Sequence, residues 1–149
     1  MNSTKCEPGG AVQELLSAQD WRRAAAVMRV LRPTLEVEDF MERRTQLLDE
    51  GCHLLGVEDE GRVLSIASYT VSPHVILTRE LLVHDMATLP EARRRGYASL
   101  LIEELSRVAD EYGCGRIFVH TREAQALYLR NGFEEYSTGM IRKLRRNTT

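Results

Sequence analysis

The chain has 149 residues, of which 43% are hydrophobic and 28% charged, with a formal net charge of −2. That length can bury a sizeable core, and the composition excludes a disordered or fibrous class. Near-balanced charge argues against a general nucleic-acid binder.

Three cysteines, Cys6, Cys52 and Cys114, are widely spaced, with no CxxC pair or histidine cluster beside them. Neither a disulfide framework nor a metal site is expected, and reduced thiols fit a cytoplasmic protein. No apolar run reaches the length of a membrane span. Residues 1–10 are polar, lack the apolar stretch of a signal peptide and are expected to be disordered. Residues 11–145 are expected to form one folded domain.

Residues 12–17 predict a first strand. Asp20 is the expected N-cap of a helix carrying Trp21, Ala24, Val27, Met28 and Leu31 at helical spacing, and Pro33 ends it. A second helix is predicted over residues 36–49, stopped by Gly51. Residues 53–58 and 62–71 read as strands joined by the turn Glu58-Asp59-Glu60-Gly61, with Ser72-Pro73-His74 breaking the second. A third strand is predicted over residues 80–89, closed by Pro90. A helix then runs to about Tyr112, with Ala98, Leu101, Ile102, Leu105, Val108 and Ala109 on one face and Glu103, Glu104, Arg107 and Asp110 on the other. A short strand over 116–120, a helix over 123–131 ended by Gly132, and a last pair of strands over 133–136 and 139–144 complete the chain. The order predicts an α+β fold, an α/β sandwich around one sheet.

The chemistry concentrates at Pro90-Glu91-Ala92-Arg93-Arg94-Arg95-Gly96-Tyr97-Ala98, where a strand enters a basic turn that opens an amphipathic helix. The first N–H groups of a helix lack internal partners and its dipole is positive there, which makes an anion site. Gly96 permits close backbone approach, and Arg93, Arg94 and Arg95 suit a diphosphate. Read alone, the same residues are a solvated basic turn.

The run from Asp85 through Ala98 resembles the signature strand, loop and helix start of the GCN5-related N-acetyltransferases (GNAT), whose loop reads Arg/Gln-x-x-Gly-x-Gly/Ala, here Arg93, Gly96 and Ala98. Downstream, Ala124-Gln125-Ala126-Leu127-Tyr128-Leu129-Arg130-Asn131-Gly132-Phe133 is similar to the family's second signature. The resemblance covers roughly residues 15–144. It implies a mixed, mostly antiparallel twisted sheet of about six to seven strands flanked by four helices. It also implies an acetyltransferase that uses acetyl-coenzyme A as co-substrate, without a metal.

On that resemblance the backbone from Arg94 to Ala98, Tyr97 included, would hold the coenzyme A pyrophosphate. The strand through Met86, Ala87 and Thr88 would pair with the pantetheine arm, in a gap where it splays from the next strand. A backbone N–H near Met86–Thr88 would then polarise the thioester carbonyl. Many members carry an Asn a few residues before the Ala of the second signature; Thr121 stands near that position. Gly is frequent where this chain has Arg94; the arginine is tolerated there if it keeps a negative φ, and it could add a phosphate contact.

Tyr128 matches the family tyrosine that hydrogen-bonds the coenzyme A sulfur and returns its proton; the alternative is a core tyrosine. His84 matches a position where some relatives place a catalytic glutamate, and a histidine accepts a proton near neutral pH. It is set against a plain surface or structural histidine. Strand alternation is expected to turn His84 and Asp85 to opposite faces, leaving Asp85 to orient the acceptor or satisfy a turn. His120 reads as a solvated strand end, Cys114 as a small filler and Trp21 as core.

Direct attack of an amine on a thioester requires a neutral amine, a stabilised oxyanion and a proton for the thiolate. No cysteine lies in either signature, so a covalent acyl-cysteine route has no support. The leading expectation is therefore N-acetylation of a small-molecule or peptide amine. The alternatives are a non-catalytic acyl-coenzyme A sensor and, disfavoured by charge, a DNA-associated protein. Nucleic acid and membrane are not expected as partners; a homodimer is left open by the relatives.

Overall fold

The computed structural model describes residues 10–121, 124–136 and 139–144. Strand β1 (Ala11–Glu14) leads into helices α1 (Ala18–Leu31) and α2 (Val37–Asp49). Strands β2 (His53–Asp59), β3 (Arg62–His74) and β4 (Thr78–Thr88) follow, then a 3-10 turn (Pro90–Ala92), α3 (Tyr97–Glu111), β5 (Ile117–Val119) and α4 (Gln125–Arg130). The sheet has five strands in the order β1-β2-β3-β4-β5. All neighbours are antiparallel except β4 and β5, which are parallel.

The start of α1 differs from the sequence expectation. Ser17, not Asp20, is the N-cap: its hydroxyl accepts the Asp20 N–H at 3.0 Å, and the Asp20 carboxylate accepts the Ser17 N–H at 3.3 Å. The Ser17-x-x-Asp20 spacing is a reciprocal capping box, which places the acid three residues inside the cap. Arg23 on the same helix bridges Asp20 at 2.7 Å and Glu58 at 2.6 Å, tying α1 to the β2–β3 hairpin. Trp21 is core, as expected. It stacks on Phe40 of α2 at 5.0 Å between centroids and donates its indole N–H to the Leu15 carbonyl at 2.9 Å.

The β2–β3 turn forms as predicted, with Glu60 at φ +53 and Gly61 at φ +78, the left-handed pair of a two-residue hairpin loop. Strand β3, however, continues through Ser72-Pro73-His74, paired with β4 as far as His74↔Thr78. Strand β2 covers β3 only up to Tyr69. Beyond that point β3 is an edge on that side, where a proline that cannot donate is tolerated.

The two faces of the sheet carry different helices. On β3, Ser68 pairs with Asp85, which Arg32 at the end of α1 approaches. The next residue, Tyr69, lies within electrostatic reach of Glu104, Arg107 and Tyr112 of the α3 region. Thus α1 covers the Ser68 face and α3 the Tyr69 face. The α3 stripe is buried as predicted at Leu101, Ile102, Leu105, Val108 and Ala109, and Arg107 on its outer side pairs with Glu104 and Glu111.

The expected final strands are not formed among the described residues: 133–136 and 139–144 carry no regular pairing. Strand β5 is three residues long and offers almost no ladder to extend. The apolar residues that suggested strands, Met140 and Ile141, are 98% and 84% exposed. The sheet is accordingly one to two strands narrower than expected. Of the predicted last helix, Glu123 lies outside the described residues. Among the described residues no helix is long and apolar enough to cross a membrane.

Candidate active site

Strand β4 is irregular where the candidate bases lie. Its register against β3 runs Ser68↔Asp85 and then Tyr69↔Val83, so His84 has no opposite number. This is a β-bulge. A bulge interrupts alternation, and the contacts show the result. The Asp85 Oδ2 accepts the Ser68 hydroxyl at 2.9 Å, and the His84 Nε2 lies 2.8 Å from the Thr70 hydroxyl. Ser68 and Thr70 are two apart on one strand and share a face. His84 and Asp85 therefore both stand on the α1 side, which corrects the expectation that they face apart. His84 is exposed, and the Asp85 side chain is 25% exposed.

The pairing of β4 with β5 ends at the same point, because β5 itself stops at Val119. Strand β4 pairs with β5 at Leu81↔Ile117, Leu82↔Phe118 and Val83↔Val119. Beyond Val83, β4 runs on through Met86, Ala87 and Thr88 with no β5 partner among the described residues. Backbone groups on that edge are left for another partner.

Tyr128 reaches this edge from the other face. Met86 pairs with Ala67, one residue from Ser68, so it belongs to the α3 side. The Tyr128 hydroxyl donates to the Met86 Sδ at 3.6 Å. The phenol ring is 6% exposed and packs edge-on against Phe133 at 5.3 Å. Burial pushes its pKa above the ordinary value, so the hydroxyl keeps its proton at neutral pH. The end of α4 is fixed by Gly132 at φ +87 and by the Phe133 N–H, which donates to the Tyr128 carbonyl at 3.0 Å.

The loop after β4 delivers a second cluster. Arg93, Arg94, Arg95 and Gly96 are exposed, whereas Tyr97 is buried and Ala98 half-buried. Gly96 caps α3 at φ +85, with no side-chain cap bond. The backbone N–H groups of Arg94, Arg95, Gly96, Ala98 and Ser99 find no acceptor among the described residues. No acidic residue stands in the first turn, and nearby Glu91 is paired with Arg62 at 3.1 Å. Donors, dipole and arginines together fit a diphosphate. Arg94 does not keep the negative φ that would accommodate it without strain: it adopts φ +65, in the left-handed region that glycine occupies most readily.

Thr121 is partly buried and already has work of its own, its hydroxyl accepting the Ala124 N–H at 3.0 Å at the entry to α4. His120 is exposed and sits edge-on to Phe118 at 4.9 Å, as a strand-end histidine should. A cavity of about 710 Å³ opens beyond β5, lined by Phe118, His120, Thr121, Tyr128 and Asn131 among others. It does not include His84, Asp85 or the basic loop; Tyr128 alone of the predicted catalytic residues borders it. Three residues at the site escaped sequence reasoning: Ser68, Thr70 and Arg32. The first two were signalled by polar residues at alternate positions of an otherwise apolar strand, and Arg32 by nothing beyond its place before Pro33.

Two helical layers on a largely antiparallel sheet, a bulged strand that runs on past the end of its parallel neighbour, and a donor-rich loop opening α3 define an acetyltransferase architecture. The sequence matches the model of the Acetyltransferase (GNAT) family over residues 16–133, and the chain belongs to that family of acyl-transferring enzymes. No curated protein matches significantly. Among solved structures, an acetyltransferase of Trypanosoma brucei is 18% identical with a TM-score of 0.78, over 91% of this chain and 99% of that one. The aminoglycoside N-acetyltransferase AAC(6')-Iy, in complex with a bisubstrate analogue of coenzyme A and acetylneamine, is 16% identical with a TM-score of 0.80, over 91% and 98%. Glucosamine-6-phosphate N-acetyltransferase from Arabidopsis thaliana is 16% identical with a TM-score of 0.75, over 90% and 97%. At these identities the likeness is one of fold.

Proposed function

We propose that this protein transfers the acetyl group of acetyl-coenzyme A to a primary amine by direct attack within a ternary complex. One observation carries the reading. Tyr128 approaches β4 from the α3 face and His84 with Asp85 stand on the α1 face, at the stretch where β4 runs on beyond the end of β5. A thioester lying along that edge would meet a proton donor on one side and proton acceptors on the other.

In this reading the N–H groups from Arg94 to Ala98, with the Arg93, Arg94 and Arg95 side chains, hold the pyrophosphate. The edge at Met86, Ala87 and Thr88 pairs with the pantetheine arm and supplies the N–H that stabilises the oxyanion. Thr121 adds a contact at the entry to α4. Tyr128 protonates the departing thiolate. His84 takes the proton of the incoming ammonium, and Asp85 orients it. The domain comprises residues 11–145, acts in the cytoplasm and needs no metal.

The test is release of free thiol from acetyl-coenzyme A across a panel of primary amines, with the product identified by mass spectrometry. Turnover that collapses in both Tyr128→Phe and His84→Ala supports the proposal. Tight acetyl-coenzyme A binding without thiol release from any amine would leave a coenzyme-sensing role instead.

A further inference from the structure

The carboxylate of Asp85 is half committed. Its Oδ2 accepts the Ser68 hydroxyl at 2.9 Å. Its Oδ1 faces the Arg32 Nη2 at 3.9 Å, beyond hydrogen-bonding distance. Arg32 follows the last turn of α1, and its side chain is 66% exposed. Its Nη1 makes only a long 3.4 Å approach to the Leu31 carbonyl. A guanidinium has five donors in a planar fork, so most of this one's capacity is unused. Cys52 lies within electrostatic reach of Asp85 as a half-buried thiol, and His84 is turned onto Thr70. A negative and a positive group thus stand side by side, separated rather than closed on each other.

Resting on the amine-acetylation reading above, we infer that the acceptor is a zwitterionic primary amine, one with a carboxylate or phosphate close to its amino group. Its ammonium takes the Oδ1 of Asp85, beside His84, and its anion takes the fork of Arg32. A matched pair of opposite charges exchanges one long ion pair for two short charge-assisted ones. A polycationic acceptor would gain Asp85 and be repelled by Arg32. An uncharged-tail amine would leave Arg32 without a partner.

The test compares matched amines at saturating acetyl-coenzyme A: leucine against leucinamide, and phosphoethanolamine against ethanolamine. The anion-bearing member of at least one pair is expected to show kcat/KM higher by about tenfold or more, the size of one charge-assisted contact. Arg32→Ala should erase that preference, and Arg32→Glu should reverse it, with acetyl-coenzyme A affinity unaltered. Equal rates within both pairs, a preference for the neutral members, or a preference that survives Arg32→Ala would each overturn the inference while leaving amine acetylation standing. If no amine is turned over, calorimetry of the same acceptors on the coenzyme A complex decides separately. Arg32-dependent binding of the anion-bearing members supports the zwitterion site although the catalytic reading has failed, and its absence overturns both.

Discussion

Thr70 and Ser68 act through the residues they hold. With the Thr70 hydroxyl 2.8 Å from Nε2, the imidazole of His84 is fixed in orientation on an otherwise exposed strand surface. Thr70→Val keeps the shape of the side chain and removes that anchor. The expected result is a kcat lower by about tenfold and not a complete loss, since the base itself remains. In His84→Ala, which removes the base itself, kcat should fall by about 10²-fold or more, and in Asp85→Asn by less; the kcat values of the three variants check this. Arg94 yields a prediction of another kind. A non-glycine residue at φ +65 costs about 1 kcal/mol or more, so Arg94→Gly should raise stability by about that amount in urea unfolding. If coenzyme affinity falls in the same variant, the side chain also contacts phosphate. The sequence named both strand residues, yet not their facing. Val83-His84-Asp85-Met86 contains no glycine or proline to announce a bulge, so strict alternation was the natural and mistaken rule.

The helices were the most legible elements because each carries its own punctuation. In α3 the apolar stripe, the opening Gly96 and the closing Gly113 all lie in local sequence, and the stripe is the buried one. Leu105, 1% exposed, is its centre, and Leu105→Ala should cost about 2–5 kcal/mol by chemical denaturation. At α1 the box was misread by one partner: Ser17→Ala should cost about 1 kcal/mol, because the serine rather than Asp20 is the cap. Strand limits depend on neighbours that local sequence does not show. Whether Pro73 ends β3 depends on where β2 stops alongside it, and whether residues 133–136 and 139–144 form strands depends on a neighbouring strand to pair with.

At the scale of the molecule, two of the buried phenols, Tyr69 and Tyr128, shape the response to alkali. Burial first, with the nearby Glu14 charge, pushes Tyr69 up to about 12, and burial raises Tyr128 as well. An unfolded tyrosine titrates near pH 10. As pH rises past that value the unfolded chain loses protons that the folded chain keeps. The stability these groups contribute is therefore present below about pH 10 and declines as pH climbs toward the folded value. Urea unfolding across that range should show the decline, and Tyr69→Phe should flatten it. The claim on which the whole account rests is that the unpaired edge of β4 is flanked by a proton donor on one face and proton acceptors on the other. The most direct measurement is the turnover of Tyr128→Phe beside its affinity for acetyl-coenzyme A. The account predicts that kcat falls by about 10²-fold or more while the dissociation constant is unchanged. Normal turnover in a protein that binds the coenzyme normally would contradict it, leaving Tyr128 a packing residue against Met86 and Phe133.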